Sequence, residues 1–205
     1  MTPVGYVREG MIVLDIGANI GAVSEALMRD VGPTGAVYAI EPQAALREAF
    51  AHRCPGVRWL RAAVTDSDGM ICLYHSRETP HASVYLPNVL APTGETEWVR
   101  SVTLDSLQAS GELPGRLDYI KVDTQGAEMA VLRGASQLLQ RRHAAWYLEV
   151  WPFGLQQAGT SIDALCEVLA AAGLTPHDTT WDRIGEDALR LQGHASMDVL
   201  FVPRP

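Results

Sequence analysis

The sequence predicts an α/β fold built on a doubly wound, mostly parallel sheet. Segments with the apolar content of buried strands alternate along the chain with segments of helical periodicity, which is typical of such a sheet. The first strand pattern, Met11–Ile16, contains an acidic residue near its end and leads through a glycine-containing turn into a helix pattern. A parallel strand enters its helix in this way beneath a bound nucleotide-like ligand.

Outside the segment from Asp66 to Leu104, six segments are predicted as strands and four longer ones as helices. The strands are Met11–Ile16, Ala36–Ile40, Val57–Val64, Leu117–Val122, Ala145–Val150 and Met197–Val202. The helices are Ile20–Arg29, Pro42–His52, Ala127–Leu139 and Ile162–Ala172. Pro42 lies early in its helix, where proline is tolerated. Thr160, with Asp163 three residues later, is predicted to cap the last helix, and Gly173 to end it.

The segment from Asp66 to Leu104 interrupts the alternation, because it has no helix pattern and contains three prolines. Met70–His75 and Trp98–Leu104 have the pattern of short strands, with an irregular excursion between them. An excursion of this length is more often a functional lid than an idle loop. Asp105 and Gln108 have the spacing of a capping box, so Asp105 is interpreted as structural.

Composition predicts a single domain, residues 1–205, in the cytoplasm. The chain has 205 residues, 47% of them hydrophobic, and a net charge of −8 argues against a nucleic-acid partner. Three widely spaced cysteines without a Cys-x-x-Cys motif are typical of reduced thiols. The amino terminus lacks the apolar core of a signal peptide, and no apolar stretch reaches membrane-spanning length, so no membrane partner is expected.

The turn after the first strand contains the predicted cofactor-binding residues. Gly17 and Gly21 lack a Cβ and allow the backbone to approach a ligand, while Asn19 tolerates a left-handed conformation. Glu41 ends the second strand, where its carboxylate accepts hydrogen bonds from ribose hydroxyls. Asp15 lies two residues before the first glycine and completes this set.

The same turn favours S-adenosylmethionine over NAD. The pattern is Gly-x-Asn-x-Gly and lacks the third glycine with which NAD-binding turns hold a pyrophosphate. The carboxylate of Asp15 would repel a pyrophosphate but attract the ammonium group of S-adenosylmethionine. Glu41 suits the ribose of either compound, so an NAD-dependent oxidoreductase is the alternative.

Several blocks of the sequence, in order and in spacing, resemble the FkbM-type methyltransferases, over roughly residues 10 to 150. The blocks are Asp15–Gly21, Glu41-Pro42, Val102–Leu107, Ile120–Glu128 and Val131–Ala135, continued by Tyr147–Val150. The resemblance implies a class I S-adenosylmethionine-dependent fold with seven strands, the last antiparallel. It also implies, as is usual in the family, O-methylation of a hydroxyl on a small molecule or sugar.

Two features depart from this resemblance. Gln125 occupies a position where many relatives have glutamate. Only ten residues precede strand one, whereas relatives often carry an extension that helps to cover the site. Closure is therefore expected to depend on residues 66–104 or on a second subunit, as in a homodimer.

Candidate catalytic residues lie where predicted strands end. Transfer of a methyl group to an alcohol requires a positioned acceptor and removal of its proton. Asp123 and Glu149 end neighbouring strands, so one of them is expected to act as base, or both to share a divalent cation. The structural alternative is that Asp123 caps the turn that follows it and Glu149 binds backbone amides. Lys121, on the same strand face as Asp123, is expected to form an ion pair with it. His81, within the insertion, is a further candidate base.

Two interpretations stay open at this point. Asp66 follows the third strand, where it would accept a hydrogen bond from the adenine amino group or, equally well, serve a turn. The chain as a whole is interpreted as an O-methyltransferase of a hydroxylated small molecule, and the remaining alternative is a protein that binds the cofactor without catalysis. No metal ligands are assigned, because two acidic residues do not specify a metal site.

Overall fold

A seven-stranded sheet forms the centre of the protein, for which we use a computed structural model. The structure describes residues 6–77, 82–85, 92–178, 184–185 and 196–204. The strands of this central sheet are β1 Ile12–Ile16, β2 Ala36–Ile40, β3 Arg58–Leu60, β8 Tyr119–Val122, β9 Ala145–Val150, β10 Leu174–His177 and β11 Met197–Pro203. Strands β4 to β7 form a second sheet, which is described below.

The strand order across the central sheet is β10-β11-β9-β8-β1-β2-β3. Strands β3, β2, β1, β8 and β9 run parallel to one another, and β11 is antiparallel to both β9 and β10. The predicted mostly parallel sheet of seven strands, with an antiparallel last strand, is therefore confirmed. The chain leaves β1 toward β2 on one side and later returns to place β8 on the other side. Ligands of open α/β sheets bind at such a switch point.

Seven α-helices are present in the described residues. They are α1 Ala22–Val31, α2 Arg47–Arg53, α3 Leu104–Ala109, α4 Glu128–Arg133, α5 Ser136–Gln140, α6 Pro152–Gln157 and α7 Ile162–Ala171. The segment predicted as one helix from Pro42 is a 3₁₀ turn, Ala44–Leu46, followed by α2.

The predicted helix Ala127–Leu139 is wrong as a single element, because it is broken between α4 and α5. The break lies at Gly134, where a Cβ would stand 2.1 Å from the carbonyl oxygen of Thr65. The backbone carbonyl of Gly134 also accepts a hydrogen bond from the Asp105 backbone N–H, at 3.0 Å. This close approach of two chain segments ends α4, and no local sequence pattern signals it.

Asp105 is structural as predicted, but it caps a different helix. The Thr103 hydroxyl accepts the backbone N–H of Ser106 and so caps α3. The carboxylate of Asp105 reaches α5, where it accepts the Ser136 hydroxyl at 2.9 Å and the backbone N–H groups of Gln137 and Leu138 at 3.0 and 3.2 Å. In α7 the cap is likewise Ser161 instead of Thr160.

Replacing Asp105 by alanine is expected to destabilise the protein by about 1–2 kcal/mol, as loss of a helix cap does. The variant leaves the first N–H groups of α5 without their acceptor. Urea denaturation followed by circular dichroism measures the free energy of unfolding. Asp30→Ala, at an exposed position near the end of α1, is the control and should change it by no more than about 0.5 kcal/mol. Equal effects of the two substitutions would contradict the capping role.

The second sheet contains four strands in the order β4-β7-β5-β6. They are β4 Ala63–Val64, β5 Gly69–Ser76, β6 Ala82–Ser83 and β7 Pro92–Val102. Strand β5 is antiparallel to β6 and β7, and β4 is parallel to β7. The strand patterns predicted within the 66–104 insertion thus correspond to β5 and to the end of β7.

The predicted third strand, Val57–Val64, is divided between the two sheets. Arg58–Leu60 pairs with β2 in the central sheet. Ala63 and Val64 instead pair with Ser101 and Val102 of β7. The prediction of a single strand is therefore wrong, because Ala63 and Val64 form their hydrogen bonds with a strand of the insertion instead of with β2.

Side chains alternate between the two faces of the central sheet, as they must in extended strands. Leu14, Ile120 and Leu148 pack on one face within the larger core cluster. Val13 and Tyr119 pack on the opposite face, with Leu27 of α1. Among the described residues, no helix is both long enough and apolar enough to cross a membrane.

Candidate active site

A cleft opens at the carboxyl ends of β1, β2 and β8, and it has a volume of about 680 Å³ including the solvent at its mouth. Its described lining comes from the turns after these strands and from the second sheet. The lining residues are Ile16, Gly17, Asn19, Ile40, Glu41, Pro42, Gln43, Ala62, Ala63, Val64, Leu73, Ala82, Ser83, Val84, Asp123, Thr124, Gln125 and Ala127. Four predicted site residues, namely Gly17, Asn19, Glu41 and Asp123, are therefore brought together in one cleft.

The turn after β1 has the conformation expected from its residue types. Gly17 and Asn19 have φ angles of 73° and 51°, so both are left-handed. The predicted approach of a ligand to the glycines stays a prediction, and the structure adds a second reason for them. A Cβ on Gly17 would stand 1.8 Å from the carbonyl oxygen of Asp123, and one on Gly21 would stand 2.8 Å from the Cys54 sulfur. Each glycine therefore allows close packing within the protein itself.

Glu41 is held rigidly at the end of β2. Its Oε2 accepts the Asn19 backbone N–H and its Oε1 accepts the Gln43 backbone N–H, both at 2.9 Å. The side chain is buried, and burial raises the pKa of Glu41 although these two hydrogen bonds oppose the shift. The Gln43 side chain also hydrogen-bonds to the Glu41 carboxylate. A carboxylate offers about four lone-pair sites, so it can still accept a hydrogen bond from a ligand. The carboxylate is thus a fixed hydrogen-bond acceptor beside the cleft.

Asp15 lies beneath the cleft and is not among its lining residues. Its carboxylate is fully buried, and it accepts the Ser24 hydroxyl of α1 at 2.6 Å. Its other oxygen lies 3.1 Å from the Lys121 ammonium. The predicted contact of Asp15 with a cofactor stays a prediction, since in this structure the cation beside Asp15 is Lys121.

Lys121 connects the two strands at the centre of the sheet. It is the register partner of Asp15, and both side chains lie on the face that carries α1. Its ammonium also lies 3.4 Å from Asp123 Oδ2, which confirms the predicted ion pair, and 3.3 Å from the Gly17 carbonyl oxygen. Burial lowers the pKa of Lys121, but the two carboxylates outweigh burial and raise it above its ordinary value.

Asp123 and Glu149 form a pair of carboxyl groups beside the cleft. Lys121 is the register partner of Tyr147, and extending this register by two residues brings Asp123 next to Glu149. The Gln125 side-chain nitrogen donates to Asp123 Oδ1 at 3.0 Å and to Glu149 Oε2 at 3.1 Å. The predicted proximity of the two acids is therefore present, although only Asp123 lines the cleft itself.

The environments of these two acids shift their pKa values apart. Burial raises the pKa of Asp123, but the Lys121 ammonium and the Gln125 amide outweigh burial and hold it below its usual value. Burial and the negative charges of Asp123 and Glu128 raise the pKa of Glu149 to about 7. At neutral pH, Asp123 is thus ionised and Glu149 can both accept and release a proton.

Of the predicted site residues that the structure describes, Asp15, Gly21, Asp66 and Glu149 are not among the lining residues of the cleft. Asp66 is exposed in the turn after β4, and the Ser67 hydroxyl donates to it at 3.4 Å. Its contact with adenine stays a prediction, while Ala62, Ala63 and Val64 line the cleft nearby. His81 lies outside the described residues. In the part of the chain that the structure describes, no group of three or more His, Cys, Asp or Glu residues could hold a metal ion.

The sequence did not reveal what the second sheet adds to the site. Leu73 of β5 and Ala82 of β6 line the cleft. Ser83 is buried, and its hydroxyl donates to the Gln125 carbonyl oxygen at 3.0 Å. These contacts join residues about forty positions apart, so no local pattern marks them. The wall they form agrees with the interpretation of residues 66–104 as a cover.

The sheet order and the cleft at its switch point are those of the class I methyltransferase fold. The sequence model described as "Methyltransferase FkbM domain" matches residues 15–174. The chain therefore belongs to the FkbM methyltransferase family. This finding confirms the resemblance seen in the sequence blocks, and it confirms an S-adenosylmethionine-dependent methyltransferase family and fold, in place of the NAD-dependent alternative. Among curated sequences, none is significantly similar to this chain.

Solved structures support the same fold. The FkbM methyltransferase from Methylobacillus flagellatus KT has a TM-score of 0.56 and 15% identity, over 97% of this chain and 45% of that chain. A TehB-like methyltransferase from Corynebacterium glutamicum has a TM-score of 0.51 and 12% identity, over 96% of this chain and 82% of that one. Aeropyrum pernix fibrillarin, solved with S-adenosylmethionine, has a TM-score of 0.50 and 12% identity, over 96% and 68%. The chain thus spans less than half of the FkbM structure.

Proposed function

We propose that the protein transfers the methyl group of S-adenosylmethionine to a hydroxyl group of a small molecule, with Glu149 as the base. The observation that carries this proposal is the placement of two carboxyl groups with separated pKa values next to a cleft of the methyltransferase fold. An alcohol must lose its proton during the transfer, and a base with a pKa of about 7 suits that task at neutral pH.

The charges of the cleft support S-adenosylmethionine as the cofactor. Its described lining contains two acidic residues, Glu41 and Asp123, and no lysine or arginine. Such a lining attracts the sulfonium and ammonium groups of S-adenosylmethionine and would repel a pyrophosphate. The fixed oxygens of Glu41 are suited to ribose hydroxyls. The apolar wall of Ala62, Val64 and Leu73 is suited to a flat adenine ring.

In this proposal the chain's own residues position the acceptor and move one proton. When bound, the cofactor supplies an electrophilic methyl group. Glu149 takes the proton of the acceptor hydroxyl onto its carboxylate, and Asp123 stays ionised because Lys121 neutralises part of its charge. The second sheet limits access of water to the cleft through Leu73 and Ala82. A small hydroxylated acceptor also agrees with the net charge of −8, which disfavours nucleic acid.

Thermal unfolding with added ligands tests the cofactor. S-adenosylmethionine or S-adenosylhomocysteine at 100 times its Kd should stabilise the protein by about 2.7 kcal/mol, which corresponds to about 5–10 °C in Tm. NAD should have no effect. Glu41→Ala is expected to remove the response, because it deletes the acceptors that hold the ribose. Glu167→Ala, an exposed change on α7, is the control and should respond like the wild type.

Two results would contradict the proposal. A response to NAD alone would reject S-adenosylmethionine as the cofactor. O-methylation would be rejected if the protein responds to S-adenosylmethionine but forms no S-adenosylhomocysteine with any acceptor of a panel of alcohols, phenols and sugars. That second result would favour a protein that binds the cofactor without catalysis.

A further inference from the structure

We propose that Gln125 is a positioning residue, whose side-chain amide holds Asp123 and Glu149 together and keeps Glu149 available as a proton acceptor. Its use in catalysis rests on the proposed function, whereas its effect on the two acids does not. Gln125 is not one of the residues that the sequence analysis proposes as catalytic. The contacts of its side chain and of its backbone carry the inference.

The side-chain amide bridges the two acids through one nitrogen. Nε2 of Gln125 lies 3.0 Å from Asp123 Oδ1 and 3.1 Å from Glu149 Oε2. An amide nitrogen carries two N–H donors, so it can serve both oxygens at once, whereas the amide oxygen can only accept. The two carboxyl oxygens that accept from Nε2 therefore fix the orientation of the amide. The amide in turn fixes the separation of carboxylates that come from two different strands.

The backbone of Gln125 is held in an unfavourable conformation that aims the amide at this pair. Its φ angle is 54°, in the left-handed region that residues with a Cβ rarely adopt. Glu128 Oε1 accepts the backbone N–H groups on either side, those of Thr124 at 3.0 Å and Gly126 at 3.1 Å. The Ser83 hydroxyl binds the Gln125 carbonyl from the second sheet. A left-handed residue held from two directions indicates a functional constraint.

The charges around Glu149 explain why a neutral donor is needed there. Asp123, which follows β8, and Glu128 of α4 face it, and their negative charge raises the pKa of Glu149. Asp198 of β11 is its register partner on the other side, and Ser196 also donates a hydrogen bond to it. The Lys121 ammonium contacts Asp123 and Asp15 instead. The Gln125 amide therefore stabilises the ionised form of Glu149 without adding charge.

Titration of the two carboxyl groups by ¹³C NMR in the cofactor-free protein tests this role. Gln125→Met keeps the length of the side chain but removes the donor, and it should move the titration midpoint of Glu149 upward by about one pH unit. Gln140→Met, at an exposed position of α5, is the matched control and should leave both midpoints unchanged. Unchanged midpoints in Gln125→Met would overturn the proposal.

A second variant guards against misfolding at this position. Gln125→Gly removes the amide but adopts a φ of 54° without strain, so it should fold even where Gln125→Met does not. It should shift Glu149 in the same direction, and a wild-type titration in this variant would equally overturn the proposal. Since neither cofactor nor acceptor is added, the result stands whether or not the protein binds S-adenosylmethionine.

Discussion

Replacing Lys121 by methionine is expected to destabilise the protein by about 3–5 kcal/mol, the usual cost of removing one partner from a buried ion pair. Lys121 is the only lysine of the chain, and its ammonium lies between Asp15 and Asp123. The substitution would leave the carboxylate of Asp15 fully buried, and among the described residues only the Ser24 hydroxyl would still donate a hydrogen bond to it. Guanidinium denaturation of the wild type and of the variant gives the difference in unfolding free energy.

A double variant distinguishes the ion pair from simple loss of packing. Asp15→Asn removes the negative charge and keeps the shape, so adding it to Lys121→Met should recover much of the lost stability. Removing both charges of a buried pair often changes the free energy of unfolding little, whereas removing only one charge lowers it strongly. A cost below about 1 kcal/mol for Lys121→Met alone would contradict the buried pair. So would a double variant whose cost equals the sum of the two single changes.

The sequence predicted the central sheet well, because that prediction depends on local patterns. The apolar run of Met11–Ile16 buries side chains on both faces, as strands of a parallel sheet do. The left-handed Asn19 and the acidic Glu41 also follow from residue type and position alone. The pair of Asp123 and Glu149 could be predicted for a related reason. The ends of adjacent parallel strands meet at one edge of a sheet, once the strand order is known.

The remaining features arise from contacts between distant segments. Gly134 ends α4 because the carbonyl of Thr65 lies against it, and the side chain of Asp105 finds its partners in α5. Asp15 has the residue type expected of a cofactor ligand, yet the residue that meets its charge is Lys121, about a hundred positions away. The hydrogen bond from the Ser83 hydroxyl to the Gln125 carbonyl oxygen also joins two distant segments. Only folding brings such partners together. Residue type therefore indicates that a side chain will accept a hydrogen bond or pair with a charge, but it does not indicate with which residue.

Replacing Glu149 by glutamine is expected to lower kcat by about 10²- to 10⁴-fold, the range typical of the loss of a general base. Glutamine has a similar size but cannot accept the proton of the acceptor hydroxyl. In the wild type, the rate should rise with pH through about 7, because Glu149 must be ionised to act as base. The measurement is S-adenosylhomocysteine formation as a function of pH, with whichever hydroxylated acceptor supports turnover. Equal kcat values in the wild type and Glu149→Gln would contradict this role.

The pH dependence of stability tests the same residue without any acceptor. The pKa of Glu149 is raised on folding from its ordinary 4.5 to about 7, so the folded state holds a proton that the unfolded state releases. This contribution is favourable at low pH and is lost as pH rises from about 4.5 to 7, since the unfolded chain binds fewer protons there. Glu149→Gln should remove that part of the slope in denaturation experiments. If the slope stays the same, Glu149 does not titrate near 7, and the proposed base must be another residue.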